Sequence, residues 1–384
     1  MALFICCEKS FLETVWADVK IGSLLEETAR KRIPCKIIHS LKDLEAYKAL
    51  YESEHSSLVI ISPSEQTLYE RLAEFESVDI HKIIYANHFF KSDKGNYSSV
   101  MSDIYGSTEA TVRYLADLGC KRIALFGIDR KGGQDALRCS SYESCIRQLH
   151  PPLVFEKTEG ERISLYALFQ TCLDQLLRCD EKIDSVITAY DYQAIYLIHL
   201  LEQLDPDWRS KLKIISFGDM LLSALCSPSI STVSLQFAES APVVVSLHRM
   251  MFRNTNVSRA QILMGHQIFR RESTESNGSA GTVFSGYDAN VLLRPGEYDY
   301  FRMIHRLERI LFRFDTLDFR ILYGICRGTP FSELADSLYL SLGTINYRTR
   351  KYREQLGSKR TDEVRRFIAS IIDPEKLKEF IDKL

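Results

Sequence analysis

The sequence predicts an α/β chain: two lobes, each a parallel sheet covered by helices, followed by a small all-α region. Three observations carry that expectation. Short β-branched runs alternate with longer amphipathic segments up to about residue 275. A glycine- and serine-containing stretch then breaks the texture, and from residue 300 onward the spacing is helical throughout. At 384 residues, with 45% hydrophobic and 26% charged side chains, the chain can hold two or three domains with sizeable cores.

Strands are expected over residues 3–6, 35–39, 58–62, 82–85, 122–126, 185–188 and 213–217. Helices are expected over 11–30, 41–51, 64–75, 105–118, 136–149, 165–177 and 192–204. Continuous apolar strands separated by helices of this length imply parallel sheets buried on both faces. So many units exceed one comfortable sheet, and the loop over 91–96 is the expected crossing between two. Residues 277–281 have linker composition, and 287–297 read as irregular around Pro295. A helix over 300–314 then sets Ile304, Leu307 and Leu311 on one face, as a dimer contact or as a lever. The expected boundaries are therefore 1–275, 276–313 as linker and connecting helix, and 314–384.

Composition removes several classes. The longest apolar runs, such as 58–61, are too short to span a bilayer, and no basic leader precedes the first strand. A cytoplasmic protein without a membrane partner is expected. The ten cysteines include no Cys-x-x-Cys pair and read as reduced, small core residues. The nine histidines are scattered, so no metal site is expected. No Walker A, Gly-x-Gly-x-x-Gly, His-Glu-x-x-His or nucleophile-elbow motif occurs, and no catalytic residue or cofactor is assigned. The glycines of 127–133 have the wrong spacing for a phosphate loop and read as a bend. Net charge is −2, yet residues 299–384 hold 17 Lys/Arg against 13 Asp/Glu, which hints at a nucleic-acid-facing end.

Residues 314–369 read as four short helices. Thr316 is placed to cap the first, over 317–326, which Gly328 stops. Ser332 is placed to cap the second, to about Tyr339, and 340–342 make a turn. The third runs over 343–356 with Gly357 beyond it, and Thr361 is placed to cap the last, through 371. Leu334, Ala335, Leu338, Leu340 and Ile345 fall where two helices of a helix-turn-helix pack steeply. That packing turns Asn346, Tyr347, Arg350, Lys351 and Arg353 outward. A solvated helix in a small bundle is the bland alternative.

The stretches 314–322, Glu333 to Ala335, Leu338 to Ser341, Gly343 to Ile345 and Leu356-Gly357 together resemble the LuxR-type DNA-binding domain. The resemblance implies double-stranded DNA as partner, with Ser341 and Thr344 at phosphates. It further implies that Asn346, Tyr347 and Arg350 face base edges or backbone, with Lys351 on the same DNA-binding face. Relatives usually carry Lys where Asn346 stands and His where Arg348 stands, so their sequence preference does not transfer. Asn pairs bidentately with adenine and Arg with guanine.

Residues 1–275 resemble the effector-binding domain of LacI/GalR repressors, a bilobal fold shared with periplasmic sugar-binding proteins. The likeness rests on Asp103, 110–124, 138–142, 186–191 with Ala194, 214–219, 229–233 and 270–274. It implies a small polar effector, plausibly a sugar or derivative, gripped between the lobes by Arg138 and Asp103. Tyr190 stands where relatives have Asn, and Asp219 is the survivor of a usual acidic pair. Phe11 matches a pocket aromatic or is a core residue, and Arg138 has a surface-helix alternative. Relatives place their DNA-binding helices before the sensor; here the head is expected after it, in a homodimer reading half-sites about one helical turn apart. The resulting expectation is a transcription regulator. Its rivals are a solute-binding or scaffold protein and, less favoured, an enzyme. A response regulator is disfavoured because Cys6-Cys-Glu8 stands where it needs an acidic pair, and Ser62 where it needs Asp.

Overall fold

The computed structural model describes residues 1–9, 11–13, 15–53, 55–62, 64–86, 97–157, 164–254, 256–275, 296–358 and 360–384. It divides into two compact units. One comprises Met1–Arg113, Asp129–Arg147 and Ser234–Gln267; the other comprises Tyr114–Ile128, Gln148–Val233 and Ile268–Leu384.

Each unit is built on a six-stranded sheet. The first contains β1 (Ala2–Cys6), β2 (Cys35–Ile38), β3 (Ser56–Ile60), β4 (His81–Ala86), β5 (Tyr97–Ser102) and β11 (Gln261–Met264), in the order β11-β5-β4-β3-β1-β2. The second contains β6 (Ile123–Ile128), β7 (Val154–Glu156), β8 (Ser185–Thr188), β9 (Lys213–Phe217), β10 (Ser231–Ser234) and β12 (Gln267–Phe269), in the order β12-β10-β9-β8-β6-β7. Parallel register joins, for example, Ile5 to Val59 and Ile187 to Ile215. Strands β1, β3, β5, β6, β8 and β9 are buried along their whole length, as sheets covered on both faces require.

Helices α1 (Val15–Arg30), α2 (Leu41–Glu45), α3 (Lys48–Ser53), α4 (Glu65–Glu74), α5 (Ile104–Asp117) and α6 (Gly133–Ile146) come first in the chain. Next are α7 (Leu165–Leu177), α8 (Asp191–Leu204), α9 (Pro206–Lys211), α10 (Leu221–Leu225), α11 (Ser240–Arg253) and α12 (Glu272–Glu275). The terminal set is α13 (Glu297–Phe312), α14 (Thr316–Cys326), α15 (Phe331–Ser337), α16 (Leu342–Leu356), α17 (Thr361–Ile371) and α18 (Pro374–Ile381).

Local chemistry accounts for many starts. Ser40, Ser64 and Ser164 accept the third helical N–H of α2, α4 and α7. Asp205 does the same for α9, whose first residue is Pro206. The expectation of one helix over 11–30 resolves into a 3-10 turn at Phe11–Glu13 followed by α1. The expected helix over 41–51 is two helices, α2 and α3.

One topological expectation is overturned. Strands β4 and β5, which flank 87–96, pair in parallel within one sheet, so the chain does not change sheets there. The changes occur along α5, between β10 and α11, and between β11 and β12. Strand β5 was missed because its run of serines reads as polar, although Ser98 and Ser99 are buried. The loop over 91–96 and the linker over 277–281 lie outside the described residues, as does 287–295 of the irregular stretch. Gly296 and Glu297 already belong to the start of α13.

The first unit holds two apolar clusters, one on each side of its sheet. In the second, one cluster runs from Phe126, Phe169 and Tyr196 through α13 into Phe319, Ile345 and Phe367 of the terminal helices. Phe301, Ile304, Leu307 and Leu311 of α13 are buried in it. Each such side chain stabilises the packing by about 1.5–3 kcal/mol.

At the end of β6, Gly127 has φ 83°, and a Cβ there would sit 2.3 Å from Oε1 of the buried Gln193. That side chain donates to the Gly127 carbonyl at 3.3 Å and accepts the Tyr190 N–H at 3.2 Å. Gly127→Ala is expected to lose about 1–3 kcal/mol in urea unfolding. Gly119→Ala is the control: φ is 85°, with nothing within 4 Å, and its loss should be smaller.

Candidate functional site

The terminal helices are held by carboxylates as much as by apolar contact. Asp315, not Thr316, caps α14, accepting the Asp318 N–H at 2.7 Å while Asp318 accepts the Asp315 N–H at 3.2 Å. Pro330, not Ser332, precedes α15, and Gly324 of α14 lies so close to Leu334 that a Cβ would meet its Cδ1 at 2.5 Å. The turn between α15 and α16 is closed by the Leu340 N–H on the Ala335 carbonyl at 2.9 Å. Tyr339 within it takes φ 57° and is 97% exposed.

Ser341 caps α16, accepting the Thr344 N–H at 3.1 Å, and its hydroxyl lies 2.9 Å from that of Thr344. Ile345, Thr349, Tyr352 and Leu356 form the buried stripe of α16. Asn346, Tyr347, Arg350 and Lys351 are exposed on the other side, with Ser341; Thr344 is half-buried. The Arg350 guanidinium lies 5.9 Å from the Tyr347 ring centre, and its Nε is 3.6 Å from Glu354. The structure thus places five of the six expected DNA-facing residues in solvent.

Arg348 has a different task. Its Nη1 donates to Asp315 Oδ2 at 2.9 Å and also to Asp318. The Tyr352 hydroxyl donates to the same Asp318 at 2.5 Å. Burial and the Asp318 carboxylate push the Tyr352 hydroxyl well above the ordinary tyrosine range. These bonds staple α16 to the start of α14. At its other end, Arg306 of α13 donates to the Leu356 carbonyl at 2.9 Å, and Gly357 follows at φ 77°.

The expected effector residues are distributed over both units. In the first, Phe11 is 8% exposed within an apolar cluster. Asp103 accepts the Gly106 N–H at 2.8 Å at the start of α5. Arg138 is wholly buried, which removes the surface-helix alternative; it donates to Asp135 at 2.5 Å. Asp135 in turn accepts the Asp129 N–H at 3.1 Å. The Ser141 hydroxyl donates to the Tyr105 carbonyl at 2.7 Å, so α5 and α6 are packed together.

In the second unit, Tyr190 and Asp219 stand on neighbouring loops after β8 and β9. The Tyr190 ring stacks on Tyr192, with centres 5.6 Å apart. Gly218 and Asp219 take φ 139° and 56°, reversing the chain sharply. Asp219 accepts from Arg271 at 2.7 Å and from the Thr232 hydroxyl at 2.8 Å.

Sequence reasoning missed two carboxylates here. Asp191 accepts from the Ser216 hydroxyl and, at 2.6 Å, from the Met220 N–H. Glu308 of α13 accepts the Leu221 N–H at 2.9 Å and the Leu222 N–H at 2.8 Å. Glu308 is 3% exposed, and nothing in its helical spacing distinguished it from a solvated position. Among the described residues, no group of three or more His, Cys, Asp or Glu is arranged to hold a metal. None of the described helices is long and apolar enough to cross a membrane.

A family model described as a periplasmic binding protein-like domain matches residues 112–274. The two parallel-sheet lobes have that fold, with the helical region α13–α18 following. Transcription regulator CcpA of Lactococcus lactis is 16% identical, covering 72% of this chain and 99% of its own at a TM-score of 0.55. A LacI-family transcriptional regulator from Enterococcus faecium, with bound ribose, is 13% identical with the same coverages and TM-score. CcpA of Weissella paramesenteroides, with bound sucrose, is 16% identical, covering 72% of this chain and all of its own at 0.55. At these identities the likeness is one of fold. No curated protein matches the chain.

Burial holds the Glu308 carboxyl up at about 7 and the Asp191 carboxyl up at about 6. The folded chain therefore binds more protons than the unfolded one between about pH 4.5 and 7, and their contribution to stability falls as pH rises through that window. Asp219 also faces Glu308 and adds to the upward push. Urea midpoints at pH 4.5 and 7.5 should show Glu308→Gln losing stability relative to wild type at the lower pH and regaining it at the higher.

Proposed function

We propose that this chain is a sequence-specific, DNA-binding transcription regulator whose lobes bind a small polar, sugar-like effector. The observation that carries this reading is α16. A serine-capped helix enters after a tight turn, buries one stripe, and presents Asn346, Tyr347, Arg350 and Lys351 to solvent. Such a helix fits a major groove, its cationic groups meeting phosphate and its amide or guanidinium meeting base edges. The LuxR-type resemblance supports the same placement, with Ser341 and Thr344 at the backbone. A homodimer acting in the cytoplasm would offer two such helices to half-sites about one helical turn apart.

The effector half of the reading rests on the fold and on the candidate residues of each unit. Asp103 and Arg138 in the first unit supply hydrogen-bonding groups, and Tyr190 and Asp219 in the second supply an aromatic face and a carboxylate, all of kinds a polyhydroxylated ligand can use. The solved relatives with bound ribose and sucrose support that ligand class. An effector that prefers one lobe arrangement shifts the population toward it, and the coupling to DNA affinity is reciprocal. No cofactor is invoked. The competing reading is a solute-binding or scaffold protein whose terminal helices bind other proteins.

Two measurements separate these readings. Binding to a 30-bp duplex should weaken steeply with salt, and Lys351→Ala should reduce the slope of log K against log salt by about one on all sequences. Absence of salt-dependent duplex binding at low salt would leave the scaffold reading. Thermal melting of the full chain with pentoses, hexoses, disaccharides and their phosphates should rise for at least one. Saturation at a hundredfold excess over Kd adds about 2.7 kcal/mol, and Tyr190→Ala should remove the shift.

A further inference from the structure

Helix α13 touches the helix starts that follow both loops carrying the second unit's candidate effector residues, and it also touches the end of α16. From the loop after β8, Tyr190 stacks on Tyr192 of α8, whose ring packs 5.7 Å from Phe301 and 5.2 Å from His305. After the loop that follows β9, the first two N–H groups of α10, those of Leu221 and Leu222, are both held by Glu308. Asp191 anchors Met220, the residue before them. Two residues back along α13, Arg306 holds the Leu356 carbonyl. Side chains two apart in a helix diverge by roughly 200°, so the pair reaches opposite ways across one rigid rod. The buried Ile304, Leu307 and Leu311 fill the packing around it.

Neither contact is what simple packing would select. A buried carboxylate beside Asp191 and Asp219 is costly compared with an apolar side chain of similar size. Its gain is geometric: a two-point grip on consecutive N–H groups fixes both distance and orientation between α13 and the start of α10. Arg306 makes the complementary grip at the carbonyl end of α16, where a cation is favoured. Gly357 leaves room for it; a Cβ there would lie 1.9 Å from Arg306 Nη1.

We propose that Glu308 and Arg306 are positioning residues that couple the segment over 218–222, the loop after β9 and the start of α10, to the recognition helix α16 through α13, so that a shift of that segment on effector binding re-aims the exposed face of α16. The inference rests on the regulator reading given above. It assigns the transmission to two side chains on one helix and not to diffuse lobe closure.

Hydrogen–deuterium exchange on the full chain, without DNA or sugar, tests this. Glu308→Ala should speed exchange of the 221–225 amides. It should also speed exchange across 353–358, which Glu308 does not bond, by about fivefold or more. Arg306→Ala should act in reverse, loosening 221–225 from the other end, and Arg306→Lys, which keeps a donor, should restore it. Strand β3, in the first unit, serves as the reference and should exchange as in wild type. Where Glu308→Ala also unprotects β3, Glu308→Gln carries the test under the same criteria. If Glu308 variants change 221–225 alone, or Arg306→Lys restores nothing, the two side chains are local caps and the coupling is overturned. Duplex binding by the wild-type chain is read separately, so a failed head and a failed coupling give different results.

Discussion

The second unit depends on one helix that is packed on two sides. Helix α13 buries Phe301, Ile304, Leu307 and Leu311 in a cluster shared by the sheet-covering helices and the terminal helices. Tyr300 extends this by stacking on His199 of α8 and meeting Phe367 of α17 edge-on. Remove that helix and two apolar surfaces face water, one on the α/β lobe and one on the helical region. The short antiparallel bridge between Cys226 and Ile372 ties the same two regions at a second point. Lys376 adds a third tie, to Glu272 and to the Cys226 carbonyl. The helical region is therefore a docked part of a larger core.

Much of the architecture was legible in the sequence because parallel strands buried on both faces leave continuous apolar runs, as 58–61 and 123–126 do. What failed was whatever lacked that signal. Strand β5 carries serines that are buried inside the sheet, and without it the crossing between lobes was assigned one connection too early. Strand β11 is half exposed and β12 has three residues, too little pattern to stand out. Cap positions slipped by one or two residues because Asp315 and Pro330 compete with the nearby Thr316 and Ser332, and only packing chooses between them.

Helix α16 was readable because its two faces differ in chemistry at the helical period. Arg348 shows the limit of such reading. By spacing it borders the outward face, yet its partners Asp315 and Asp318 lie 33 and 30 residues earlier. Glu308 was invisible for the same reason: its partners are backbone amides at the start of α10, 86 and 87 residues away. Long-range polar contacts of this kind leave no periodic trace. Phe11 and Arg138 were named with alternatives, and burial decides between exposed and interior for each without assigning a ligand.

The threading of the chain has a consequence for how it is made. The sheet of the first unit contains β1 to β5 from the beginning of the chain, but its sixth strand, β11, pairs with β5 only once Gln261–Met264 has been synthesised. All of β6 to β10, and hence most of the other lobe, emerges in between. At about 5–20 residues per second on a ribosome, the edge of β5 waits on the order of ten seconds or more for its partner. Helix α11, which covers the same sheet, arrives in the same late segment. During that interval the edge of β5 is open to pairing with other chains. That exposure during synthesis follows from where one four-residue strand sits in the order of the chain.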